Sequence, residues 1–177
     1  YNYSRVIAFY KIGKYDLANK HLKMLENEYK NYPFFFELFG DIYYKKGNFK
    51  KAIEEYKKAI KIVDGQFSPS TDLIKFSLVK SYIQTNKQKH LNESIIILEQ
   101  LLHNSPKWSY LWRLLAKSSN KVNKKGISYI ALAEEALIKK NFIKAKKYVD
   151  LANKQPSIPS SYKLRGADIV ARIKIKK

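Results

Sequence analysis

The sequence has no cysteine, four arginines, three histidines and one methionine in 177 residues. Without cysteine there is no disulfide, no thiol nucleophile and no cysteine-ligated zinc cluster, and this leaves the compartment open. No apolar run approaches the roughly 20 residues that a membrane-spanning helix needs. Negative charge is scarce too: 15 acidic residues stand against 35 basic ones, a formal net charge of +20. A surplus of that size raises nucleic acid or an anionic membrane as partners. Yet 31 of the basic residues are lysine, and only Arg5, Arg113, Arg165 and Arg172 offer the planar fork that reads phosphate and guanine. Ile, Asn and Tyr are abundant beside Lys, the pattern of AT-rich coding. A compositional bias accounts for the charge as well as a partner does, so nucleic-acid binding is disfavoured. The chain opens at Tyr1 with neither Met nor a basic-then-apolar leader. It reads as a fragment or a mature product, with any targeting signal upstream.

Catalytic constellations are missing as well. His21, His90 and His103 lie in HLKML, HLNES and HNSPK. None sits in HExxH, in which two His one helical turn apart hold zinc and Glu handles the proton. They read as surface or turn residues. Glu54–Glu55 and Glu134–Glu135 are adjacent pairs, and helix neighbours point about 100° apart, too divergent to share a substrate. Glu54 stands four residues before Lys58, which suits a solvated pair. Neither a GxxxxGK phosphate loop nor a GxSxG elbow occurs. Lys117, Lys121, Lys124 and Lys125 form the best basic cluster, without interleaved aromatics, and read as a solvated face. The expectation is a chain with no catalytic residue, no metal ligand and no cofactor of its own.

What is present is a period. GNFKKAIEEYKKAI begins at Gly47 and a looser copy, GKYDLANKHLKML, begins at Gly13, 34 residues earlier; Ala18 and Ala52 keep the same spacing. Two antiparallel helices with their turns take about that length, and a 34-residue period is the signature of the tetratricopeptide repeat. From Pro33 the chain resembles that family closely, with Phe36, Phe39, Gly40, Tyr43, Gly47, Ala52, Tyr56 and Ala59 at its large, small and aromatic places. Gly40 and Ala52 are small where paired helices cross, Tyr43 and Tyr56 fill the gaps between helices, and Gly47 ends a helix in the left-handed region. Pro33 suits a helix start. The upstream copy (Phe9, Gly13, Ala18, Leu22) would have its first helix begin before Tyr1. A third repeat begins near Ser68 (Leu78, Tyr82, Ser94, Leu98, Leu101, Pro106), with three extra residues in the turn around Lys87 to Leu91 and Asn86 in place of the turn glycine. A fourth follows Pro106 (Trp112, Leu115, Ala116, Asn123, Ser128). The helix Ile127–Lys139 serves twice, because Ala133, Asn141, Phe142, Ala145 and Ala152 read as a further repeat shifted by half a unit. Pro156 and Pro159 break the run. The segment Ser160–Ile175 caps the stack with Leu164, Ile169, Val170 and Ile173 inward. The predicted fold is all-α, a right-handed superhelix of about ten helices in one domain. Its repeats fall at about 1–32, 33–66, 68–106, 107–140 and 141–156, with a cap at about 160–175.

In that repeat family the first helices line a concave groove. The resemblance projects it onto Tyr3, Ile7, Tyr10 and Lys11, then Phe34, Glu37, Asp41, Tyr44 and Lys45. It continues through Leu73, Phe76, Lys80, Ile83 and Gln84 to Tyr110, Arg113, Lys117, Asn120 and Lys121. Such a lining, aromatic early and basic late, suits an extended or helical polypeptide with apolar side chains. The same aromatics also serve to pad contacts between successive helices. Glu37 and Asp41 stand where clamps for chaperone tails carry Lys and Asn, and would repel a carboxylate.

The downstream half narrows the resemblance. YPFFFELFGDIYYKKGNFKKAIEEYKKAI, SYLWRLLAKSSNK, ISYIALAEEALIKKNFIKAKKYVDLA and SSYKLRGADIV resemble, in that order, the C-terminal repeat region of BepA-like periplasmic HExxH zinc metallopeptidases, peptidase family forty-eight. The chain departs from that pattern in its extra Lys, the missing turn glycine at Asn123 and the three-residue insertion. The resemblance implies a non-catalytic module that binds polypeptide substrates or assembly partners, among them unfolded outer-membrane proteins or their assembly machinery. Zinc would belong to a protease domain upstream of this chain, and the setting would be the periplasm, with the cytoplasm still open. A free-standing repeat scaffold is the alternative, and an RNA-binding helical array a weaker one.

Overall fold

The computed structural model describes residues 2–63 and 69–175, and among them every regular element is a helix. In chain order these are α1 (Asn2–Lys11), α2 (Tyr15–Met24), α3 (Glu26–Tyr29), α4 (Pro33–Lys45), α5 (Phe49–Val63), α6 (Pro69–Thr85), α7 (Gln88–Asn104), α8 (Ser109–Lys121), α9 (Lys125–Ile138), α10 (Phe142–Asn153) and α11 (Ser160–Ile175). Eleven helices stand where about ten are predicted. The extra one arises because Leu25 (φ −97°, ψ −5°) bends the chain without stopping it, and Glu26–Tyr29 closes one more turn. Tyr1 and residues 64–68, which include the predicted repeat boundary and the start near Ser68, lie outside the described residues.

Five connections share one construction. A residue in the left-handed region ends each helix: Gly13 (φ 76°), Gly47 (φ 73°), Asn86 (φ 53°), Asn123 (φ 60°) and Lys140 (φ 59°). The next residue leads into the following helix, which begins one position later. Its N–H turns back five residues: Lys14, Asn48, Lys124 and Asn141 donate to the carbonyls of Phe9, Tyr43, Ser119 and Ala136 at 2.8–2.9 Å. This pairs carbonyls that the helix end would leave orphaned. Asparagine tolerates that backbone region, as predicted for Asn86, whereas Lys140 adopts it with no local signal in the sequence.

The chain divides into two compact units, residues 1–85 and 86–177. In the first, α1 packs on α2, α2 on α4, α4 on α5 and α5 on α6. Ala52, Ile53, Tyr56, Ala59 and Val63 make one buried stripe of α5, at intervals of one to four residues, with Lys50, Lys51, Lys57 and Lys58 outside it. Lys58 donates to Glu55 at 2.9 Å rather than to Glu54 as the spacing predicts. In the second unit α8 lies against α7 and α9, and α10 and α11 both cover α9. Ile130, Ala133, Leu137, Ala145, Val149, Ile169 and Ile173 form a common core there. The helix read as Ile127–Lys139 therefore has neighbours on both sides, and it starts two residues earlier, at Lys125.

Two further sequence readings fail. The three extra residues are not in a turn: α7 begins at Gln88, directly after Lys87, and carries them as one further helical turn. Ser94, the predicted close-packing position, still reaches its neighbour, since its hydroxyl meets Ser118 at 3.0 Å. Leu164 is 72% exposed, while Ile169 and Ile173 are buried and Val170 is half-buried. On α11 the inner positions are Tyr162, Gly166, Ile169 and Ile173, spaced three to four apart, so Leu164 falls on the opposite side.

Gly40 is the tightest point of the first unit. A Cβ there would sit 2.5–2.8 Å from the ring of Tyr56, which is fully buried and held by a 2.6 Å hydrogen bond from its hydroxyl to Asp41. Gly40→Ala is expected to destabilise the chain by about 1–3 kcal/mol through overpacking, read as a lower urea midpoint at unchanged slope. An unaltered midpoint would contradict the close crossing.

Candidate functional site

The first unit gathers most of the predicted lining. Tyr10 on α1 lies in the field of Asp41 on α4, and Tyr3 in that of Glu37. Burial pushes both phenols up, and these carboxylates push them further. Lys80 of α6 places its ammonium 4.9 Å from the ring centre of Phe76 and 5.6 Å from that of Tyr44, a cation held between two π faces. Tyr44 also meets Phe49 edge-on at 5.4 Å, and Phe34 meets Tyr32 at 5.7 Å. Tyr3, Ile7, Tyr10, Glu37, Asp41, Tyr44, Phe76 and Lys80 are half-buried, and Phe34 and Leu73 exposed. Ile83 departs from the projection: at 4% exposure it belongs to the core beside Val79 and Tyr82 and lines no surface. Of the flanking positions, Lys11, Lys45 and Gln84 are exposed.

Glu37 and Asp41 lie one helical turn apart on α4. Burial raises the Glu37 carboxyl above its ordinary range, Asp41 adds to this, and Lys80 opposes it. Burial also raises Asp41, against the Tyr56 hydrogen bond and the charges of Lys80 and Lys45. The pair stands amid aromatics, where burial disfavours its charged form. Asp41 also has a packing duty, since it fixes Tyr56.

The remaining predicted positions are in the second unit. Tyr110, Arg113, Lys117, Asn120 and Lys121 all lie exposed on α8. Arg113 is engaged: its Nε donates to Glu135 Oε1 at 2.9 Å and its Nη2 at 2.5 Å, and Lys139 Nζ reaches the same oxygen at 2.5 Å. Burial pushes the Glu135 carboxyl up, but these cationic donors outweigh it and hold it below the usual range. Its neighbour Glu134, 3% exposed, turns to α11 instead, where Arg165 Nη1 donates at 2.8 Å and Arg172 lies at 3.8 Å. The two glutamates diverge to different helices, as the helix geometry predicts.

Sequence reasoning missed this double clasp. A signal existed: Glu134 and Glu135 sit in IALAEEALI, an apolar frame that buries carboxylates, and three of the four arginines answer them. It also missed a cleft of about 320 Å³ lined by Glu99, Leu102, His103, Trp112, Tyr162 and Arg165. There Tyr162 donates to Glu99 at 2.5 Å, and the Arg165 guanidinium lies 5.0 Å from the Trp112 ring centre. Among the described residues no three His, Asp or Glu side chains converge as a metal site would need, and no helix is long and apolar enough to cross a membrane.

These features define an all-α helical-repeat protein. Residues 40–63 match the TPR repeat family. Among solved structures the chain is similar in fold to "MamA RS-1 ArsTM double mutant", with a TM-score of 0.70 at 13% identity over 98% of this chain and 92% of that one. No curated protein matches it.

The raised Glu37 and Asp41 carboxyls set a sign. Each binds a proton in the folded chain at a pH where the unfolded chain has released it. Their contribution to stability is therefore complete below the ordinary carboxylate range and is lost as pH rises through the raised values. Asp41→Asn should flatten that decline in melting temperature between mildly acidic and neutral pH, relative to the parent chain. Parallel curves for the two proteins would contradict the burial of charge at this position.

Proposed function

We propose that the chain is a non-catalytic polypeptide-binding module, with its binding surface on α1, α4 and α6 of the first unit. A TPR repeat within a helical-repeat fold supports a scaffold for protein–protein interaction. The observation that carries the surface is the row of half-buried and exposed aromatics, Tyr3, Tyr10, Phe34, Tyr44 and Phe76, with Leu73 at 53% exposure beside them. Rings of this kind supply contact area at low entropic cost, and they anchor apolar side chains of an extended or helical ligand. Glu37 and Asp41 among them turn away a free carboxylate and favour a neutral or basic segment.

In the finer reading the module serves a BepA-like zinc metallopeptidase of the bacterial cell envelope. It would present unfolded outer-membrane proteins, or their assembly machinery, to a protease domain encoded upstream. The half-repeat ALAEEAL with its following KKNFIKAKKYVDLA, and the closing Arg165-Gly166-Ala167-Asp168-Ile169, support that reading. Zinc would reside in the upstream domain. The coding sequence ahead of Tyr1 is expected to carry a signal peptide and HExxH; an upstream region without them would leave a free-standing scaffold.

The surface is tested by titrating the purified chain with a labelled apolar peptide cut from an unfolded outer-membrane protein. Tyr44→Ala with Leu73→Ser should weaken binding by about 2 kcal/mol or more, while the melting temperature stays within a few degrees. Binding of equal strength by parent and variant would overturn the assignment.

A further inference from the structure

The second unit carries a separate site of opposite chemistry. We propose that the cleft walled by α8, α9 and α10 binds a carboxylate side chain of an acidic polypeptide segment. This rests on the reading of the chain as a polypeptide binder and adds a second kind of ligand residue to it.

The cleft holds about 240 Å³ and is lined by Arg113, Leu132, Glu135, Lys139, Lys144 and Tyr148 among others. Three cations face it and one carboxylate does. That carboxylate is already committed, since Glu135 Oε1 accepts from both Arg113 and Lys139. Glu135 therefore acts as a post that fixes two cations in place. A guanidinium has five N–H donors and an ammonium three, so both keep donors for a second acceptor after serving Glu135. Lys144 stands 5.8 Å from the ring centre of Tyr148, which is itself stacked on Tyr129. The outcome is a preorganised positive seat beside an apolar and aromatic wall of Leu132, Ala136 and Tyr148.

The surroundings reinforce the sign. Residues 86–177 contain 20 Lys and Arg against six Asp and Glu, a net of +14. Two of those six acids, Glu134 and Glu135, are buried in clasps. Such a field concentrates anionic partners near the surface. The cleft has the volume of one large side chain, and a strand of nucleic acid needs a longer track with stacking rings. Lys117 and Lys121 continue the basic surface along α8 from Arg113. Asp or Glu flanked by an apolar residue fits both walls.

The test uses the full chain and fluorescence anisotropy with three probes. These are a labelled dodecapeptide of Asp, Glu and Leu, its Asn and Gln counterpart, and a single-stranded oligonucleotide of equal length. The acidic peptide should bind and its amide counterpart should not. Lys144→Glu should weaken the acidic peptide by about tenfold, the loss of one charge-assisted contact. It should leave the fold intact, because an acid in the first turn of α10 suits the helix dipole. Lys163→Glu on α11, the same charge change outside the cleft lining, should leave affinity within about twofold. Equal weakening by the two variants would overturn the proposal in favour of diffuse attraction. So would equal binding of the acidic and amide peptides, or an oligonucleotide that displaces the peptide at lower concentration. Apolar-peptide binding that responds to Tyr44→Ala and ignores Lys144→Glu separates the two surfaces, so either assignment fails without the other.

Discussion

The fold depends on a backbone constraint at five short connections. Each turns the chain through one residue with positive φ, and a following N–H usually reaches back five residues to close the helix end. Within a unit, as at Gly13, Gly47, Asn123 and Lys140, a connection that short brings the helix that follows back against the one before. Side chains then decide only how closely those helices nest. At Gly40 the answer is contact between backbone and ring, with Tyr56 pressed against the bare Cα and anchored through its hydroxyl to Asp41. The small residues of the repeat and the left-handed turns are two halves of one requirement, closeness along the crossing and closeness at the bend.

Much of this was legible in the amino-acid sequence, for identifiable reasons. Gly47, Gly13, Ala52 and Ala18 recur because steric limits on a crossing or a turn admit few residue types, and such limits leave a mark at fixed spacing. Pro33 opens α4 for a similarly local reason. Side-chain direction was less legible. Leu164 looks inward by composition and points outward because its neighbours at Tyr162 and Gly166 set the phase of α11. Ile83 stands at a projected surface position, yet α6 rotates it into the core. The extra residues before Ser94 lengthen α7 instead of bulging from the turn, because Gln88 to Leu91 form helix as readily as they form loop. Lys140 holds a glycine-type conformation with nothing nearby to announce it.

The candidate surface divides the same way. The aromatic positions of α1, α4 and α6 follow from repeat phase and were readable. The partners that clasp Glu134 and Glu135 were not, since these pairs join residues up to 38 positions apart across three helices. Charge in this chain consequently has two characters. Lysines spread over exposed faces tune the field. Three of the four arginines are spent on two buried acids and do structural work that lysine's single ammonium does less well.

The sharing of α9 between neighbouring hairpins has a mechanical consequence. In a simple array each hairpin leans only on the next, so the ends loosen first and unravelling proceeds piece by piece. Here one helix carries Glu134 for the closing helix and Glu135 for α8, so the two sides are tied to a common beam. Peeling α11 away strips the cations from a glutamate that α9 keeps in its interior, and the disturbance arrives at the middle of the block. The tail of this array is thereby keyed into its centre, and frays only at the cost of loosening what it covers.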